Sequence, residues 1–319
     1  MGGWRRAGIG AAALLVVGCA LTPSNLIAVP ALSSAEQAAP LSTSSAPSSS
    51  AASPSRAPSD ASSPALSASP APGLAATTAT ANVTVAPWFP RKGATWQWQL
   101  DGKIATSVHA SVFDVDVDDT SAATVAALHR LGRRVICYVD VGTWESYRAD
   151  AAKFPKRVLG KAVDGWPQER WLDIRRIDLL APILRARLDT CARKGFDALE
   201  PDWLDAFDQE TGFAITRADS IRFDLWIAQE AHRRGLGVAQ KNGPGLVTSL
   251  HKAFDFAITE DCFAYNECTA YRAYLAAGRA VLDAEYILKP AAYCSAARKL
   301  GATAIGKRLA LDAWRAPCP

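Results

Sequence analysis

Histidine is scarce in this 319-residue chain, with four in all, and methionine occurs once. His129, His232 and His251 fall in segments of helical periodicity, and His109 precedes an apolar run. None stands at a strand end, where a metal triad or a Ser-His-Asp triad would need it. The seven cysteines include no CxxC pair and no Cys-His spacing of zinc type, which argues against a structural metal. No glycine-rich phosphate loop follows an early strand, so no nucleotide cofactor is implied. Charge is also thin: the formal net charge is +4, with Lys and Arg scattered along the chain. Without a basic run or an aromatic RNA-binding motif, nucleic acid is not an expected partner.

The N-terminus is of a different kind. Arg5 and Arg6 precede an apolar core from Ala7 to Gly18, which is too short to be a permanent bilayer span and reads as an export signal over residues 1–19. Its end, Leu15 to Cys19, resembles a bacterial lipobox, which would make Cys19 a lipidated first residue and the membrane a partner through that anchor. An ordinary signal peptide cleaved nearby is the alternative. Residues 20–86 are dominated by Ala, Ser, Pro and Thr, with no aromatic residue among them. Such a composition cannot bury enough surface to offset its ordering entropy, so it is expected to be a disordered stalk. Six cysteines remain after Cys19, an even number that in an exported chain favours disulfides. Fifteen pairings are possible; proximity favours Cys262 with Cys268 and Cys294 with Cys318, leaving Cys137 with Cys191.

From residue 87 to 319 apolar runs alternate with amphipathic ones. The runs are Trp96–Leu100, Ala110–Val115, Arg134–Val139, Phe196–Leu199, Gly237–Gln240, Phe254–Thr259, Ala280–Ala284 and Thr303–Gly306. Short continuous apolar runs of this kind are those buried in parallel sheets. Between them lie helical stripes, such as Leu180, Ile183, Leu184, Leu188 and Cys191, and a capping-box start at Thr216 and Asp219. Gly195 and Gly301 are among the glycines that stand where a helix should end. Eight strands with intervening helices predict a (β/α)8 barrel rather than an open doubly wound sheet.

Chemistry in such barrels sits at the C-terminal strand ends. There the chain places Asp116, Asp118 and Asp119; Asp140, Trp144 and Glu145; Glu200, Asp202 and Asp205; Lys241 and Asn242; Glu260 and Asp261; Glu285 and Tyr286; and Lys307. Asp118, Asp119 and Asp205 read more simply as caps or turn residues. Carboxylates with aromatics are what glycosidic cleavage needs: an acid for the leaving oxygen, and a second carboxylate as nucleophile or base. Trp144, Trp203 and Tyr286 could stack on sugar faces or pack over the rim. Binding of a divalent cation by carboxylates alone stays open.

These residues also form an ordered set of motifs: Trp96–Leu100 (WQWQL), Phe113–Asp116 (FDVD), Cys137–Glu145 (CYVDVGTWE), Trp171–Ile174 (WLDI) and Gly195–Asp202 (GFDALEPD). Thr211–Phe213, Ala231–His232, Gln240–Asn242, Glu260–Cys262 and Glu285–Tyr286 complete it. In this order the chain resembles glycoside hydrolase family 114, the endo-α-1,4-polygalactosaminidases. Asp140 and Trp203 depart from it, standing where Ser and Asn are more usual. The resemblance implies a barrel enzyme that cleaves α-1,4-linked galactosamine polymers internally with retention. On this reading Asp202 is the nucleophile and Glu260 the acid/base, with Glu200 and Glu285 in reserve. Asp116, Asp140 and Lys241 are expected to contact substrate, and Tyr138, Trp144, Trp203 and Tyr286 to stack on it. A surface protein that binds polysaccharide without cleaving it is the alternative.

Overall fold

The computed structural model describes residues 86–319; the expected signal, Cys19 and the stalk up to residue 85 lie outside the described residues. The strands in chain order are β1 (Trp96–Gln99), β2 (Val112–Asp116), β3 (Arg134–Asp140), β4 (Thr143–Glu145), β5 (Leu159–Val163) and β6 (Trp166–Leu172). They continue with β7 (Ala198–Asp202), β8 (Gly237–Lys241), β9 (Phe256–Glu260), β10 (Val281–Glu285), β11 (Thr303–Gly306) and β12 (Ala316–Pro317). Strands β1, β2, β3, β7, β8, β9, β10 and β11 pair side by side in that order, all parallel. These are the eight strands that the apolar runs predict, in the order of a (β/α)8 barrel.

The runs are apolar on both pleat faces because each face is covered. Trp96, Trp98, Val112, Ile136, Ala198, Ala239, Phe256, Ile258, Leu282, Ala284 and Ile305 alternate inward and pack together as the barrel's filling. The other parity, including Phe113, Val135, Cys137, Leu199 and Val238, meets the helices. Three helices of full length fall between the strands: α1 (Ala122–Arg130), α2 (Ile177–Lys194), which carries its predicted stripe, and α3 (Arg217–His232). The Thr216–Asp219 capping box forms, and Gly195 ends α2 at φ 85°, a left-handed conformation that costs glycine nothing. The helices α4 (Val247–Leu250) and α5 (Arg272–Ala276) are only about a turn long, while α6 (Pro290–Leu300) is complete.

Two features depart from a plain repeat. After β3 the chain builds a separate antiparallel sheet in the order β4-β6-β5, turned at Asp164 and Gly165. Between the last and first barrel strands there is no ladder among the described residues. The C-terminal segment fills that gap: β12 pairs antiparallel with β11, while Leu311 O accepts from Leu100 N at 2.9 Å and Ala313 O from Gln97 Nε2 at 2.9 Å. Arg315 donates to Trp96 O and, at 2.8 Å, to His109 O. Disulfides join Cys137 to Cys191, Cys262 to Cys268 and Cys294 to Cys318, the pairing that proximity favours; the last ties this segment to α6.

The Cys294–Cys318 bridge spans 24 residues, for which loop closure in the unfolded chain corresponds to about 3 kcal/mol. A C294S/C318S double variant is expected to melt roughly 6–12 °C below wild type. A melting temperature within about 1 °C of wild type would mean that the tail closes the barrel without needing its tether.

Candidate active site

Pleat parity decides which strand-end side chains reach the barrel mouth. Continuing the inward rows from Ile136, Ala198, Ala239 and Ile258 brings Tyr138, Glu200 with Asp202, Lys241 and Glu260 to the interior. These groups meet on one ammonium. Lys241 Nζ lies 2.8 Å from Asp202 Oδ1, 3.2 Å from Glu260 Oε2 and 3.2 Å from Glu200 Oε1, and rests 4.8 Å above the Trp98 ring centroid. The ammonium side chain is buried. Of the three carboxylates only Asp202, with 15% of its side chain exposed, and Glu260, with 29%, reach solvent; Glu200 is at 0%.

Each of the two accessible carboxylates is held from further sides. Asp202 Oδ2 accepts from the Tyr138 hydroxyl at 2.8 Å and Oδ1 from the Trp203 N–H at 3.0 Å. Glu260 Oε1 accepts from the Tyr286 hydroxyl at 2.8 Å and Oε2 from Asn242 Nδ2 at 3.0 Å. Asn242 also takes the Glu260 backbone N–H at 2.9 Å, so one amide clamps both ends of that residue. Burial, then the carboxylate each one faces, pushes both phenols well above the usual tyrosine range, which keeps them hydrogen-bond donors.

The left-handed residue after each strand exposes these groups. Trp203, Asn242 and Asp261, with φ of 63°, 47° and 51°, immediately follow Asp202, Lys241 and Glu260. Asn and Asp enter this region readily, whereas a bulky aromatic is strained there. Trp203 is fixed by an edge-on contact with Trp171 at 4.8 Å, and its backbone lies so close to Gly142 that a Cβ there would fall 2.1 Å from Trp203 O.

The remaining expected site residues have other surroundings. Asp116 accepts from the N–H groups of Asp118 and Asp119 and from Arg148 at 2.6 and 3.0 Å. Burial alone would raise its pKa, but the Arg148 guanidinium outweighs that and holds the carboxyl below the usual range. Asp140, 1% exposed, accepts from the N–H groups of Gly142 and Thr143 and from the Thr143 hydroxyl, which shapes the turn into β4. Trp144 donates its ring N–H to Ala151 O at 3.0 Å and packs on the core. Glu285 has the outward parity of β10: it accepts from Phe263 N–H at 2.7 Å and faces Asp283, whose other oxygen takes the Thr259 hydroxyl. It therefore braces the Cys262–Cys268 loop. Two groups escaped the sequence reading as site members. Asn242 was visible as the polar residue of a Lys-Asn-Gly strand end. Glu169, on β6, lies in an element that periodicity did not reveal; burial and then Glu145 push its carboxyl up to about 7. The cysteines that could group with a carboxylate, Cys262 and Cys268 beside Asp283, are joined to each other in a disulfide.

Residues 77–319 match the model of glycoside-hydrolase family GH114. The chain belongs to this family. An uncharacterized protein of Deinococcus radiodurans is 28% identical over 242 residues, covering 66% of this chain and 78% of that one. Among solved structures, Aspergillus fumigatus Ega3 in complex with galactosamine aligns with TM-score 0.70 and 33% identity, over 74% of this chain and all of that one. The glycoside hydrolase domain of PelA from Pseudomonas aeruginosa shares the fold at TM-score 0.58 and 16% identity, over 70% of this chain and 98% of that domain. The family makes this GH114 chain a glycosidase with a polysaccharide substrate, and three disulfides fit an exported protein.

Removing the ammonium leaves Glu200, Asp202 and Glu260 to repel one another, which favours their protonated forms. In a folded Lys241→Met variant both limbs of the pH–activity profile are expected to move to higher pH, by roughly 1–3 units. A profile that keeps its position would show that Lys241 does not govern the carboxylates it touches.

Proposed function

We propose that this GH114 enzyme cleaves internal α-1,4 bonds of a galactosamine-containing polysaccharide with retention, Asp202 acting as nucleophile and Glu260 as acid/base. The observation that carries the reading is that Asp202 and Glu260 alone, among the carboxylates on Lys241, reach solvent. Both oxygens touch the same nitrogen, which caps their separation at about 6 Å. That bound accommodates the roughly 5–5.5 Å of retaining pairs and falls short of the roughly 6.5–9.5 Å that inverting pairs leave for water. The 33% identical Ega3 structure, solved with galactosamine, supports the sugar, and an acid-lined mouth suits its ammonium group.

In the first step Asp202 attacks the anomeric carbon while Glu260 delivers its proton to the leaving glycosidic oxygen. In the second, Glu260 takes a proton from water, whose oxygen displaces the Asp202 carboxylate. Lys241 bridges the two groups and balances charge as Asp202 gives up its negative charge to the ester and Glu260 becomes carboxylate. Tyr138 and Tyr286 orient the reacting oxygens, and the half-buried Trp203 and Tyr286 rings line the sugar's approach. At the N-terminus, Cys19 is read as the lipidated residue, with residues 20–86 as a tether to the cell surface.

Reducing-end release from polygalactosamine by Asp202→Asn and Glu260→Gln is expected to fall by about 10²–10⁴-fold or more. The first-formed product should be the α-anomer by proton NMR. Wild-type-like rates in either variant would remove that residue from the mechanism, and an initial β-anomer would rule out retention.

A further inference from the structure

Beneath the reacting pair, the barrel holds two carboxyls that the reaction does not touch directly. Asp114 on β2 and Glu200 on β7 are both completely buried. Among the described residues none of their four oxygens meets an N–H or O–H donor in hydrogen-bonding geometry, although Lys241 Nζ comes within 3.2 Å of Glu200 Oε1. After burial, Asp114 responds most to Glu200, and Glu200 responds to Lys241 and Asp202 and then to Asp114. Two carboxylates only accept, so they can bond to one another only if one keeps its proton. Burial favours that proton, and so does the proximity of two like charges. Asp114 is accordingly pushed well above the usual carboxylate range, by burial first and Glu200 second.

The surrounding groups limit the alternatives. Facing the pair are Lys241 from β8, Asp202 from β7 and Glu260 from β9; the Tyr286 hydroxyl, beyond β10, binds Glu260, and the Tyr138 hydroxyl on β3 binds Asp202. Lys241 is the cation at the centre, and its other ion-pair contacts are the two reacting carboxylates. An unprotonated pair would add two negative charges beside one ammonium that already holds Asp202. A doubly protonated pair would leave Glu200 neutral against Lys241 and the ammonium's charge wholly to Asp202 and Glu260.

We propose that Asp114 and Glu200 share one proton in the active enzyme and act as a single negative charge beneath Lys241, positioning the ammonium and setting how much of its charge reaches Asp202 and Glu260. The proposal rests on the reading of those two as the reacting pair. It makes Asp114 and Glu200 positioning residues that work through Lys241.

Amide substitutions count the charge. Asp114→Asn and Glu200→Gln each leave one negative charge on the pair, so each is expected to keep the pH optimum of polymer cleavage. The double variant leaves none; Lys241 then draws more strongly on Asp202 and Glu260, and both limbs should move to lower pH by on the order of 1 unit. A single variant that shifts as far as the double, or a double that does not shift, would overturn the proposal. Difference infrared spectra of the single variants against wild type at pH 7 provide a readout that needs no substrate and no double variant. Each substitution should remove one protonated-carboxyl carbonyl band, and wild type without that band would equally overturn the shared proton. Failure of wild type to cleave polygalactosamine would instead count against the assigned substrate, leaving the infrared result to decide this point.

Discussion

One buried ammonium organises the mouth of this barrel. Lys241 is 2% exposed and sits against three carboxylates from β7 and β9. Taking such an ion out of water costs several kcal/mol, and partners repay that only when the geometry is good. Here the geometry serves function more than stability. A hydrophobic residue of similar volume would fill the space at less cost, but Asp202 and Glu260 would have nothing to bring them together. The tyrosines add aim: each hydroxyl binds the carboxylate oxygen that Lys241 leaves free, so Asp202 and Glu260 are each fixed on two sides.

Around that centre the other carboxyls divide by the direction in which the pleat sends them. Asp283 and Glu285 alternate outward on β10 and hold the Cys262–Cys268 loop against β9. Asp116 and Asp140 belong to the rows that reach the mouth, yet Asp140 spends its oxygens on the turn that follows its own strand and Asp116 divides its oxygens between such a turn and Arg148. An acid-rich rim is thus mostly scaffolding. Its effect on the reaction is indirect: it fixes the loops between which Asp202 and Glu260 remain open to solvent.

The barrel was legible because parallel strands buried on both faces leave continuous apolar runs, and because a long amphipathic stripe such as α2 has no rival reading. The small sheet after β3 was not, since β5 and β6 are partly exposed and carry Lys161, Gln168, Glu169 and Arg170 among their apolar residues. Its one strong signal was the Asp164–Gly165 pair between two strand-like runs, a two-residue hairpin turn. Closure by the C-terminal segment was hidden for another reason. Residues 311–317 hold their place through carbonyls and the Arg315 side chain, which no hydrophobic period records. In the site, Asp202, Glu260 and Glu285 stood out as strand ends, and Lys241 as a substrate contact. The outward aim of Glu285 was equally derivable, because Leu282 and Ala284 had to face the interior once the barrel was accepted.

The strand ends also explain why chemistry gathers there. A β-strand that simply continued would cover its last inward side chain with the next inward one, two residues on. Each of β7, β8 and β9 instead breaks at once through a left-handed residue, which swings the chain away and leaves Asp202, Lys241 and Glu260 as the top layer. Asn242 and Asp261 do this at little cost and use their side chains as well, one clamping Glu260 and the other accepting the N–H groups of Tyr286 and Ile287. Trp203 does it at a cost of order 1–3 kcal/mol. What retains it is its packing on Trp171 and Gly142, which anchors strand β7 to the small sheet beside the mouth. Strain at Trp203 therefore has a structural return, because the same residue that opens the site also donates its N–H to Asp202 and fixes that carboxylate against Lys241.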